Sequence, residues 1–156
     1  MTYIETEHLF TVPVETDDER LYPSYAHAED AGADLRAATD MTVPARGTAL
    51  VPTGVKLSIA EGFVGLVHPR SGLARKHQIT VLNSPGTIDA GYLGEIKVIL
   101  INHSVVDFQI EKYDRIAQLV IQRVVHATFE ESFISFEELE RRVGRGAGGF
   151  GSTGTN

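Results

Sequence analysis

Asn83-Ser84-Pro85-Gly86-Thr87-Ile88-Asp89-Ala90-Gly91-Tyr92-Leu93-Gly94-Glu95 runs directly into Ile96-Lys97-Val98-Ile99-Leu100-Ile101, and these two segments decide the fold class. The second is apolar except for Lys97. It is rich in β-branched residues and too short for an ordinary helix, so it predicts a strand. The first is a Gly-rich bend of the kind that joins two strands. Working outward, Val55-Lys56-Leu57-Ser58-Ile59 alternates apolar and polar residues, the signature of a half-buried strand. Gly62 to Val67 and Ile116 to Val125 are further apolar runs, and turn residues at Pro52 to Gly54, Glu61-Gly62, Asn83 to Gly86 and Asp89 to Gly91 punctuate the series. Many short strands at this spacing predict an all-β barrel or sandwich. Two short helices are expected, one from Ser71 through Leu73 to Lys76 and one over Ser135 to Arg142, where Ser135 and Glu138 have capping-box spacing.

The chain has 156 residues, the size of one domain, and at this length it can bury enough surface to fold without disulfides or metal. It has no cysteine, which removes disulfide frameworks, thiolate zinc sites and cysteine nucleophiles and fits a reducing cytoplasm. A net charge of −7 argues against non-specific binding of nucleic acid, although a local cluster of donors can still hold a small polyanion. No signal peptide is read at Met1 to Val14, and no stretch approaches the ~20 apolar residues of a membrane span, so no membrane partner is expected. The division expected is a β domain over residues 1–143 and a tail over 144–156. Six of the fifteen glycines lie between Gly144 and Gly154. Their backbone entropy predicts a mobile tail; composition alone fits a disordered terminus as well.

Five stretches carry residue types with chemistry in them. Pro69-Arg70-Ser71-Gly72-Leu73-Ala74 offers free backbone N–H groups at a helix start, an Arg fork and a hydroxyl, which suits a phosphate and equally suits a solvated helix start. In the Asn83 to Glu95 bend, Asn83, Asp89 and Tyr92 fall near one loop tip. There a carboxylate can orient a water, or Asp89 can simply cap a turn. Asp34, among Ala31, Gly32, Ala33 and Leu35, can reach a metal-bound water or belong to a turn. Gln118, in Arg115-Ile116-Ala117-Gln118-Leu119-Val120, is a polar residue on an apolar strand that can face solvent. The tail Arg145-Gly146-Ala147-Gly148-Gly149-Phe150-Gly151-Ser152 pairs a phosphate-binding Arg with an aromatic, and lacks the Lys-Ser/Thr of a Walker A loop. The six histidines show no metal-ligand spacing, and the acidic run from Glu15 to Glu19 reads as a solvated loop.

Each stretch is weak alone, but their order is specific. AGADL at Ala31, PRSGLA at Pro69, GTIDAGYLGE at Gly86, RIAQLV at Arg115 and RGAGGFGSTG at Arg145 resemble the five ordered motifs of the trimeric dUTPase family, bacterial type, across nearly the whole chain. The resemblance implies a distorted jelly-roll β-barrel, a homotrimer, and a Gly-rich tail closing over a neighbouring subunit's site. It implies hydrolysis of dUTP to dUMP and pyrophosphate with Mg2+, which keeps uracil out of DNA and supplies dUMP for dTMP synthesis. On that basis Asp89 would orient the attacking water. Tyr92 would stack on the sugar and exclude a 2′-hydroxyl. Asn83 with Gly86, Thr87 and Ile88 would read uracil. Arg70, Ser71, Gly72 and Gln118 would hold phosphates, and Asp34 would hold the metal through water. Arg145 would bind the γ-phosphate, Gly149 would contact the substrate, and Phe150 would cover the uracil. The sequence departs from the family in having Gly91 where a second acidic residue often precedes the tyrosine. The alternatives are a dCTP deaminase or bifunctional form, whose glutamate base would stand where this sequence has Ile99, and a non-catalytic regulatory protein on the same scaffold. A chain ending at Val143 is expected to lose turnover far more than melting temperature; unchanged dUTP hydrolysis would contradict the tail's assigned role.

Overall fold

The computed structural model describes residues 11–144. They fall into two compact units, one ending at Val125 and the other beginning at His126.

In the first unit the strands are β1 (Val14–Glu15), β2 (Ala33–Arg36), β3 (Met41–Val43), β4 (Thr48–Pro52), β5 (Lys56–Leu57), β6 (Phe63–His68), β7 (Ile79–Val81), β8 (Gly86–Asp89), β9 (Lys97–Asn102), β10 (Phe108–Ile110) and β11 (Arg115–Arg123). The four runs expected as strands form β5, β6, β9 and β11, and other short strands join them. One sheet has the order β2-β11-β6-β8 and another β4-β9-β7, with two-stranded pairs β1-β5 and β3-β10. Every pairing is antiparallel. The fold is all-β. Leu35 and Ile116 from the four-stranded sheet and Ile79 and Leu100 from the three-stranded one are fully buried in a single core. Burying each such side chain contributes roughly 1.5–3 kcal/mol. The predicted alternation at Val55 to Ile59 is present in burial, with Val55, Leu57 and Ile59 inside and Lys56 and Ser58 outside, although only Lys56–Leu57 is paired as strand.

Strand β11 explains why Ile116 to Val125 is mostly apolar without a strict alternation. Its register against β2 shifts between Arg115 and Ala117, so Ile116 and Ala117 are both buried although they are adjacent. A bulge of this kind spoils the period-2 pattern and re-aims the flanking side chain, here Arg115. The first helix, α1 (Ser71–His77), starts where expected and runs one residue beyond Lys76. In the second unit α2 (Phe136–Val143) is capped as its sequence predicts, Ser135 Oγ accepting from Glu138 N at 3.3 Å. The Glu138 carboxylate pairs one turn onward with Arg142 at 2.6 Å.

The acidic run departs from expectation. Glu15 pairs with Lys56 at 2.6 Å. Asp18 accepts from Arg20 Nε at 2.9 Å, Arg20 Nη2 at 2.8 Å and the Tyr113 hydroxyl at 2.7 Å. Arg20 and Lys112 also lie over the Tyr113 ring, 4.4 and 4.9 Å from its centroid. Charge alone could not reveal this, because the partner Tyr113 is remote in sequence. The Arg20 guanidinium, then the Tyr113 hydroxyl, hold the Asp18 carboxyl well below the usual carboxylate range. A carboxyl lowered in the folded state contributes stability above its unfolded value and loses it as pH falls through the folded one. Asp18→Asn is therefore expected to lower Tm at pH 7, with the difference from the parent narrowing as pH drops below about 4, measured by thermal melts across pH.

Candidate functional site

A concavity of about 420 Å³ opens beside β8. Asn83, Asp89 and Tyr92 line it together with the Gly86–Ile88 backbone, so the bend brings to one place the residues that the sequence put at a loop tip. Gly86 is buried, and a Cβ there would stand 3.3 Å from the Val67 side chain and 3.4 Å from the Asn83 amide nitrogen. The missing side chain lets the Asn83 amide approach the strand. Asn83 and Asp89 are exposed, and Tyr92 donates its hydroxyl to the Glu95 carbonyl at 3.0 Å. Val67, Val81, Val98 and Ile99 supply apolar wall. A surface of this composition takes a flat ring with a few polar edge groups.

A second concavity, about 430 Å³, is built on β2, β11 and β6. Asp34 pairs with Gln118, which pairs with His68, so the three side chains form one cross-strand row. Asp34 is buried and on a strand, which excludes the turn reading. It meets Arg70 Nε at 3.0 Å and Arg115 Nη1 at 3.1 Å, while Arg70 Nη1 donates to the Arg115 carbonyl at 3.0 Å. Two guanidinium groups on one carboxylate leave net positive charge facing the cavity, which suits a polyanion. Gln118 is half-buried, its Nε2 3.5 Å from the Pro69 carbonyl. Ser71 and Gly72 stand exposed at the start of α1, next to Arg70.

No residue is common to the two concavities. Val67 lines the first and His68 the second, and successive residues on a strand project to opposite faces. The sequence matches the dUTPase family over residues 18–154, a span that contains both.

This chain belongs to the dUTPase family.

It is 50% identical over 162 aligned positions to the deoxyuridine 5′-triphosphate nucleotidohydrolase of Bifidobacterium longum, covering 98% of this chain and 95% of that one. Against the protein of the same name from Thermobifida fusca it is 49% identical over 139 positions, 88% of this chain and 75% of the other. Among solved structures, the dUTPase of Staphylococcus bacteriophage 80alpha with dUPNHPP superposes with a TM-score of 0.80 at 29% identity, covering 93% of this chain and 99% of that one. A mutant dUTPase of phage phi11 of S. aureus, described with coordination of a structural Mg(II) ion, has a TM-score of 0.73 at 26% identity, covering 80% and 98%.

Among the site residues expected of a dUTPase, Asn83, Gly86, Thr87, Ile88, Asp89 and Tyr92 line one concavity, and Asp34, Arg70 and Gln118 the other. Arg145, Gly149 and Phe150 lie outside the described residues. Sequence reasoning passed over Arg115 and His68, which line the second concavity; the strand register that aligns His68 with Gln118 has no local signal. Among the described residues no cluster of three or more His, Cys, Asp or Glu could hold a metal. Asp34 keeps lone pairs beyond the two its arginines engage, which fits a hydrated cation carried by the ligand rather than one caged by the protein. No helix among the described residues is long and apolar enough to cross a membrane.

Gly32 faces Gln118 so closely that a Cβ would stand 2.7 Å from Oε1 and 3.0 Å from Cβ of that residue. Gly32→Ala is therefore expected to displace Gln118 and destabilise the fold by about 1–3 kcal/mol. Pyrophosphate affinity, measured by calorimetry, is expected to fall with it.

Proposed function

We propose that this chain is a dUTP diphosphatase that cleaves dUTP to dUMP and pyrophosphate. The observation that carries the reading is the convergence of Asn83, Asp89 and Tyr92 on one concavity while a doubly paired Asp34 and its arginines form another. In this reading the first holds the nucleoside and the second the phosphates.

Asn83 and the backbone of Gly86, Thr87 and Ile88 read the uracil edge. A wrong base leaves polar groups unpaired there, which makes discrimination strong. Tyr92 covers the sugar. Asp89 accepts the proton of a water that attacks the α-phosphorus in line, and the α–β bridging oxygen leaves with pyrophosphate. A positioned base of this kind contributes roughly 10²–10⁴-fold. Arg70, Gln118 and the first N–H groups of α1, at Ser71 and Gly72, hold the phosphate oxygens. Magnesium, when bound, supplies charge neutralisation along the triphosphate. Asp34 would hold it through water.

The two concavities share no residue, so in this reading a site that uses both draws its nucleoside half from one copy of the chain and its phosphate half from another. This supports a homotrimer, a closed arrangement in which every nucleoside half meets a phosphate half. The tail from Gly144 to Asn156 belongs in this scheme as a cover over a neighbour's site, with Arg145 and Gly149 at the phosphate end and Phe150 over the base. The β domain ahead of it would span residues 1–143, and the enzyme would act in the cytoplasm.

Pyrophosphate release from dUTP, dCTP, dTTP and UTP in parallel tests the reading. Release is expected from dUTP alone, with Asp89→Asn lowering kcat by about 10²–10⁴-fold. Ammonia from dCTP would instead identify a deaminase. Co-refolding Asp89→Asn with Arg70→Ala is expected to restore roughly a quarter of parental activity, since random mixing leaves some sites with both residues intact. No recovery would place both half-sites within one chain.

A further inference from the structure

Tyr92 is 46% exposed, so packing alone does little to fix its ring. Its position comes from the backbone that follows it. The hydroxyl donates to the Glu95 carbonyl at 3.0 Å. The ring lies so close over Gly94 that a Cβ there would stand 2.5 Å from the hydroxyl oxygen and 2.6 Å from the carbon bearing it. Any side chain at 94 would push the phenol away.

Glu95 and Ile96 are held by the turn between β4 and β5. Thr53 is fully buried, and its hydroxyl donates to the Ile96 carbonyl at 2.6 Å while accepting from Val55 N at 3.3 Å. Ile96 N donates to the Val55 carbonyl at 2.8 Å, and Gly54 N donates to the Glu95 carboxylate at 2.9 Å. Lys97 steadies the other carboxylate oxygen at 3.5 Å. Gly54 takes φ +67°, a left-handed conformation that suits glycine and turns its N–H toward Glu95. The bonds at Thr53 and Val55 are enclosed and unscreened by water, so losing the hydroxyl strands a buried carbonyl, at a cost larger than the bond's net contribution.

We infer that Thr53 and Gly94 are positioning residues for sugar selectivity: Thr53 clamps the Glu95-Ile96 backbone, Gly94 leaves room for the phenol, and together they set where the Tyr92 ring bars a 2′-hydroxyl. The inference rests on the assignment of Tyr92 to the sugar. Neither residue lines the concavity, and neither carries a charge.

The test compares kcat/KM for dUTP and for UTP. Thr53→Val keeps the side-chain shape and removes both hydrogen bonds of the hydroxyl. It is expected to lower the dUTP-to-UTP ratio of kcat/KM by about tenfold, through a gain on UTP as well as a loss on dUTP. Thr53→Ser, which keeps the hydroxyl, is expected to return the ratio close to the parent's. Gly94→Ala, on a half-exposed loop, is expected to lower the ratio by displacing the ring directly, and it carries the test if Thr53→Val does not fold. Equal losses on both nucleotides, with the ratio unchanged and only Tm lowered, would overturn the inference. Tyr92→Ala separates the two levels. An unchanged ratio in Tyr92→Ala means the sugar assignment is wrong; a changed ratio there with unchanged ratios in Thr53→Val and Gly94→Ala means the positioning role is wrong.

Discussion

Strand β11 is hydrogen-bonded along one edge to β2 and along the other to β6, and this double ladder places most of the chemistry outside the bend. Its register sets Asp34, Gln118 and His68 side by side, and the shift near Arg115 turns that residue toward Asp34. Side chains alternate with a period of two, so a slip of one residue would send the row to the opposite face and scatter the charges around Asp34. The register is specified because Leu119 and Val67, which are buried, must stay inside. Hydrophobic burial on one face of the sheet thereby aims polar residues on the other.

The charge arrangement in the second concavity follows the same logic. Asp34 is almost enclosed, and a buried carboxylate is costly unless paired. Arg70 and Arg115 provide that pairing while remaining partly exposed, at 23% and 44% of their side-chain surface. Asp34 thus holds two guanidinium groups in place without any ligand, and pre-positioned donors lose less entropy when a polyanion binds. Truncating it would leave two like charges facing each other, so its contribution is one of arrangement more than of net attraction.

Small residues do a different job at three close approaches. Gly32 leaves space for Gln118, Gly86 for Asn83 and Gly94 for Tyr92. In each case the glycine acts by what it omits, since a Cβ would meet the neighbouring side chain. The concavity beside β8 is accordingly a product of backbone placement, with Thr53 and Gly54 supporting it from the β4–β5 turn.

By itself the sequence determined the all-β class, the capped α2, the start of α1 at Ser71 and the grouping of Asn83, Asp89 and Tyr92, because each depends on short-range periodicity or on residues within one bend. The ordered motifs carried the family in the same way. Tertiary structure alone decided the rest. That Asp34 is a paired, buried strand residue, that the Tyr113 hydroxyl joins Arg20 on Asp18, and that His68 joins the Gln118 row all depend on partners far away in the chain. Hydrophobic packing chooses those partners through strand register, and neither composition nor spacing encodes a register locally. The separation of the two concavities, with Val67 lining one and His68 the other, is likewise invisible to a linear reading.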